Sequence, residues 1–279
     1  MASPMATLGV KKIGLLLLTV VVFIVMVKLG FWQLERGNQK LALEQQLQLR
    51  ADAAPVAMKD WVFDNNHHAI GTKVSLTIEP LPLNFKVQRV YWDNQTWQGK
   101  VGYLVFQPVR VLSGESGSSP NVQKIALIEL GFIAAGRDRQ VLPYVAGVVE
   151  QQSMVGRLYR KQENPMSQGL MPEIIESEGG QLQGTASLRV QNLLLESLPR
   201  YLSFDMKNTL FPYVIQPVQP LELASEHGNV VSEHLPHPWH PLPMSSKRHF
   251  GYAVQWFSMA SVLLLLAIWF AFRQVKRPT

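Results

Sequence analysis

His249-Phe250-Gly251-Tyr252-Ala253-Val254-Gln255-Trp256-Phe257 opens an apolar run that continues to Phe272. The segment 250–272 is 23 residues, long enough to cross a bilayer with some tilt. Helical winding places residues i, i+3, i+4 and i+7 on one face. From His249 that face carries Tyr252, Ala253 and Trp256, with Ala260 one turn further on. Two readings of this stripe stand side by side. In one, Tyr252 and Trp256 belong to the interfacial aromatic belt and His249 is the last polar residue before lipid. In the other, the small residues leave room for a flat body, the aromatics wall it and the imidazole offers it a ligand.

Working outward, Arg273, Lys276 and Arg277 follow this run, and a second run lies at the other end of the chain behind Lys11-Lys12. Segment 13–34 is 22 residues, about 33 Å as a helix and enough to span. Lys28 can snorkel from its far end and Trp32 suits the interface. The long apolar region with no A-x-A-like site after it favours an uncleaved anchor over a signal peptide. Basic residues flank both runs on their terminal sides, so the positive-inside rule places 1–12 and 273–279 in the cytoplasm and 35–248 outside. Lys247-Arg248 weigh against this slightly. In a bacterial protein the membrane would be the inner membrane and the outside the periplasm.

Of the 279 residues none is cysteine, which excludes disulfides, thiolate catalysis and Cys-ligated metal. The net charge is +6, yet Lys11, Lys12, Arg273, Lys276 and Arg277 account for all but +1 of it. The basic balance is therefore topological, with no sign of a nucleic-acid surface. The chain between the runs is long enough for one sizeable core.

That middle region is strand-rich. Lys73–Glu79, Phe85–Trp92, Val101–Leu112 (broken at Pro108), Lys124–Ile133, Ser153–Arg160 and Phe211–Val218 read as strands. Asp93-Asn94 reads as a turn, and Ser113–Asn121, Lys161–Gly184 and Ala224–Ser246 as loop or connector. Leu188–Leu202 has helical leucine spacing, cut by Pro199. The expected fold is an α+β membrane protein: two transmembrane helices flanking one mainly antiparallel, barrel-like β domain with a helical insertion.

No G-x-S-x-G, H-E-x-x-H, P-loop or G-x-G-x-x-G is present, so no recognisable motif points to an enzyme. His234, His237 and His240 recur every third residue, a set that binds Cu(II), Ni(II) or Zn(II) only where the extended path enforced by the prolines brings the three rings together. Adjacent His67-His68 diverge. Both groups read as loop histidines. On the first helix Gln33, Arg36, Gly37 and Lys40 form a stripe. Its cations suit lipid phosphates or an acidic ligand close to the membrane.

Leu29-Gly30-Phe31-Trp32-Gln33-Leu34-Glu35-Arg36, then Asp93-Asn94 with Gly99-Lys100-Val101-Gly102-Tyr103 and Pro108, and finally His249-Phe250-Gly251-Tyr252-Ala253-Val254-Gln255-Trp256-Phe257 together resemble the Surfeit locus protein one family of cytochrome oxidase assembly factors. The order of these motifs matches over nearly the whole chain. The end motifs are specific and the middle one is weaker. Glu129-Leu130-Gly131-Phe132 departs from the family's N-R-G-W, and Gln95 stands where arginine is frequent. The resemblance implies a non-enzymatic role in maturing a haem-copper cytochrome c oxidase. Its expected partners are the oxidase's catalytic subunit, the haem a synthesis machinery and the lipid membrane, and haem a is its transient ligand. It also implies His249 as the haem iron ligand. Helical geometry adds Tyr252 and Trp256 beside the ring, and Arg36 or Lys40 at the propionates. The alternative is an adaptor that stabilises an oxidase subunit without binding haem.

Overall fold

The structure is a computed structural model. It describes residues 4–58, 69–82, 85–112, 123–160, 169–176, 185–202, 208–224, 230–231, 234–238 and 244–275. The chain divides into two compact units, one formed by Met1–Gln46 with Leu242–Thr279 and the other by Leu47–Pro241.

The first unit contains most of α1 (Pro4–Asp52) and all of α2 (Ser246–Val275). Both helices are long and apolar enough to cross a membrane. Helix α1 continues unbroken for 49 residues, well past the 13–34 segment expected to span. Its last turns belong to the second unit, where the Arg50 guanidinium donates to the Ile70 carbonyl at 2.8 Å and Leu47 is buried.

Among the described residues the second unit has eleven strands: β1 (Val56–Ala57), β2 (Lys73–Pro80), β3 (Val87–Trp97), β4 (Lys100–Leu112), β5 (Gln123–Ala134), β6 (Gln152–Tyr159), β7 (Glu173–Glu176), β8 (Ala186–Val190), β9 (Asn208–Pro217), β10 (Leu223–Ala224) and β11 (Val230–Val231). Strand β2 pairs with both β4 and β6, so the order β2-β6-β9-β5-β4 closes on itself as a five-stranded barrel. Closure leaves these strands without free edges. Six of the pairings in the large sheet are antiparallel, while β1–β2, β3–β8 and β5–β9 are parallel. One core lies against Val74, Leu76, Ile78, Val105, Ile128 and Ile215. A second lies against Leu104, Phe106, Leu127, Leu188, Leu198 and Val214. Strand β4 feeds both, because its side chains alternate between faces.

Several expectations need correction. Pro108 does not break β4. The strand pairs with β3 as far as Phe106↔Val90 and joins β2 from Val109↔Pro80. The missing proline N–H therefore falls where β4 changes neighbours. Asp93-Asn94 is a bulge inside β3 rather than its end, since the register shifts between Trp92 and Gln95 and Asn94 has φ +57°. The turn comes later, at Gln98-Gly99. Both residues have positive φ and they join the paired Trp97 and Lys100, as a type I′ hairpin requires. The helical insertion is reduced to a 3-10 turn at Leu198–Arg200, and Leu188 sits in β8. Strand β7 lies in the stretch read as loop. The Ser113–Asn121 loop and His67-His68 fall outside the described residues.

The motif around Asp93 is a structural clamp. Its carboxylate accepts the Asn94 N–H at 2.6 Å, Arg139 at 2.5 Å and the Gln191 amide at 3.1 Å. Gly102 is required for close approach: a Cβ there would lie 2.1 Å from the Ile133 carbonyl oxygen and 2.7 Å from the Ala134 Cα. Neither is a side chain that can rotate aside. Arg89 is 6% exposed and forms no ion pair among the described residues; its guanidinium donates to the Gln88 carbonyl at 2.8 Å. Burial pushes the neighbouring Tyr91 hydroxyl up to about 12.

Gly102→Ala should destabilise the full chain by on the order of 3 kcal/mol or more. Gly99→Ala, which strains only a left-handed turn, should cost about 1 kcal/mol. Thermal unfolding in detergent measures both; equal losses would contradict the close-approach reading.

Candidate functional site

In the first unit α1 and α2 pack antiparallel along a seven-residue seam. Gly30 and Gly37 are buried on α1, and Ala253 and Ala260 on α2, the alanines at 3% and 2% exposure. Phenylalanines fill the glycine gaps. A Cβ on Gly30 would meet the Phe257 ring at 2.7 Å, and one on Gly37 the Phe250 ring at 2.6 Å. Phe31 closes on Phe257 edge to face at 5.2 Å. Small residues at heptad spacing let helices approach, and dispersion then holds them where lipid supplies no hydrophobic drive.

Two polar contacts fix the register. Glu44 of α1 accepts the Ser246 N–H at 2.8 Å and the Ser246 hydroxyl at 2.6 Å. It thereby satisfies an orphan N–H of the first α2 turn and places negative charge at the helix's positive end. Further along, His249 Nδ1 meets the Gln33 Oε1 of α1 at 2.8 Å. Glu44 follows Gly30 and Gly37 at the same seven-residue interval. That spacing is the signal by which sequence reasoning could have found it.

The stripes drawn from the sequence divide in the structure. On α2, Ala253 and Ala260 are packed into the seam, His249 and Trp256 are half-buried beside it, and Tyr252 is 44% exposed. On α1, Gln33 and Lys40 are half-buried, whereas Arg36 is exposed and donates to Gln39 of its own helix at 3.1 Å. The structure thus brings His249 together with Gln33. It places Arg36 off the seam, and the small residues are covered by α1.

A second polar cluster lies in the β unit, at Glu129–Phe132. Strand β5 carries an extra residue, Leu130, between the pairs Glu129↔Phe106 and Gly131↔Val105. Gly131 has φ +124°, and a Cβ there would meet Leu235 at 2.5 Å. The Phe132 N–H donates to the Pro236 carbonyl at 2.8 Å. Residues 234–238 are therefore strapped onto the bulge. Glu129 is 1% exposed. Its carboxylate accepts the Tyr159 hydroxyl in a short hydrogen bond and the Gln216 amide at 3.2 Å, and it meets His237 Nδ1 at 2.9 Å. Burial, and then the adjacent Glu129 charge, push the Tyr159 hydroxyl well above its usual range. Within the proline-histidine run His237 is thus committed to Glu129, His234 is exposed and His240 lies outside the described residues. No cluster of three metal-ligating side chains occurs among the described residues.

Gly37→Leu should separate the helices and lower thermal stability in detergent by on the order of 3 kcal/mol. Phe250→Ala in the same chain should recover part of that loss, and additive losses would argue against the ring-in-gap contact. In the β unit, Glu129→Leu strands the Tyr159 hydroxyl and the Gln216 amide. It should cost about 2–4 kcal/mol in the same assay, whereas Glu79→Leu, at a partly exposed pair with Arg110, should cost less than about 1 kcal/mol.

A search of curated proteins finds no match to this chain. Among models of known families, that of the SURF1 family matches residues 20–261. The matched region includes both faces of the helix seam, Glu129, Gln33 and His249, and covers most of the chain. This protein therefore belongs to the SURF1 family, a family of cytochrome oxidase assembly factors.

Proposed function

We propose that this protein assists the assembly of a haem-copper cytochrome c oxidase by holding haem a transiently and passing it to the oxidase's catalytic subunit. The observation that carries this reading is the state of His249. Its Nδ1 is engaged by Gln33, and its Nε2 forms no hydrogen bond among the described residues. A bare ring nitrogen suits haem iron, which accepts a neutral imidazole as an axial ligand. Trp256, half-buried about two turns beyond His249, and Tyr252, exposed between them, offer apolar surface to a porphyrin. The exposed Arg36 and half-buried Lys40 offer cations to its carboxylates.

The haem is cargo in this scheme, and its own redox chemistry is not used. The chain's residues bind and orient it, and the membrane excludes water. The cationic ends Lys11, Lys12 and Arg273 support cytoplasmic termini, with the β unit in the periplasm of a bacterial cell. The packed seam also suits an adaptor that steadies an oxidase subunit through helix contacts without haem.

Co-expression with a haem a synthesis pathway separates the two. His249→Ala should purify with at least about ten-fold less haem a than the parent chain, a loss consistent with removal of an axial ligand. Equal haem in both, with oxidase subunits that fail to associate in the absence of the protein, would establish the adaptor instead.

A further inference from the structure

Gln33 has a role that goes beyond filling the seam. Its Oε1, an acceptor only, lies 2.8 Å from His249 Nδ1. The ring must therefore carry its proton on Nδ1 and donate it. A neutral imidazole has one N–H, so this bond leaves the Nε2 lone pair bare. Among the described residues nothing else bonds to His249. Gln33 is held in turn by the seam: it stands on α1 between Gly30 and Gly37, whose gaps are filled by Phe257 and Phe250 of α2. The Glu44–Ser246 bonds lock the same register.

We propose that Gln33 is the positioning residue for the haem ligand: it selects the Nδ1–H tautomer of His249, fixes the ring plane and presents Nε2 to iron. This rests on the proposed haem-binding reading and adds to it the residue that makes the ligand competent. Ligating histidines commonly donate their second N–H to an outer partner, which orients the ring and raises its basicity. Here that partner comes from the other membrane helix, so the competent ligand exists only when α1 and α2 are packed. Assembly of the helix pair and readiness to take haem become one event.

The test uses the full chain in lipid nanodiscs, titrated with haemin and followed by its Soret band and by potentiometry. Gln33→Leu removes the acceptor without adding bulk and should weaken haemin binding by about ten- to hundred-fold. Gln33→Glu restores an acceptor with a charge. It should bind like the parent chain but show a more negative iron midpoint potential, because a carboxylate on Nδ1–H makes the imidazole a stronger donor. A merely structural glutamine would leave the potential of Gln33→Leu, which changes no charge, at the parent value. If Gln33→Glu matches the parent in potential and Gln33→Leu matches it in affinity, the positioning role is overturned. Should Gln33→Leu fail to fold, the Gln33→Glu potential alone decides. His249→Ala runs alongside: undiminished haemin binding there would overturn the ligand reading itself, whatever the Gln33 variants do.

Discussion

The close approach of α1 and α2 is the constraint on which the candidate site depends. Two glycines at a seven-residue interval accept two phenylalanine rings at the same interval. Any Cβ on the glycines would occupy the ring positions. With the rings seated in these gaps, Gln33 reaches His249 and Glu44 reaches the start of α2. Each of these bonds also discriminates against a shifted register. A slip of one turn would leave the Ser246 N–H, the Glu44 carboxylate and the His249 ring without these partners at once.

The β unit solves a different problem with the same economy. A five-stranded barrel removes free edges, and β4 is long enough to serve two neighbours in succession, β3 and then β2. Two of the unit's irregularities have a visible reason. Asp93 and Asn94 bulge where a carboxylate gathers Arg139 and Gln191. Leu130 and Gly131 bulge where the 234–238 strap docks and where Glu129 is buried among Tyr159, Gln216 and His237. Glu129–Phe132 is thus a seat for the chain's own strap.

Legibility in the sequence followed periodicity. Val74, Leu76 and Ile78 alternate because one face of β2 is buried, and the two apolar runs declare themselves by length. Where sequence pattern and structure differ, the cause is physical in each case. Leu188, Leu195 and Leu198 satisfy a helical stripe, yet they reach one core from a strand, a turn and a 3-10 segment; the same spacing serves either path. Strand β7 is four residues with no alternation to see. Pro108 looked like a break because the neighbour change it marks is a tertiary event. The burial of Glu129 was invisible, since its partners lie 30, 87 and 108 residues away. At the helix pair, winding puts His249 on the α2 stripe and Gln33, with Arg36, Gly37 and Lys40, on the α1 stripe, but it does not say which side of each stripe meets the other helix. That choice sends Arg36 and Tyr252 outward and closes the space over Ala253 and Ala260.

In the proposed site α1 sets the tautomer of His249 on α2. Nitrogen NMR of the ligand-free protein, with its histidines isotopically labelled and His249 assigned by comparison with His249→Ala, reads this directly. A protonated Nδ1 and a bare Nε2, with the pattern lost or mixed in Gln33→Leu, is the predicted result. A proton on Nε2 in the parent chain, or a His249 signal indifferent to Gln33, would contradict it.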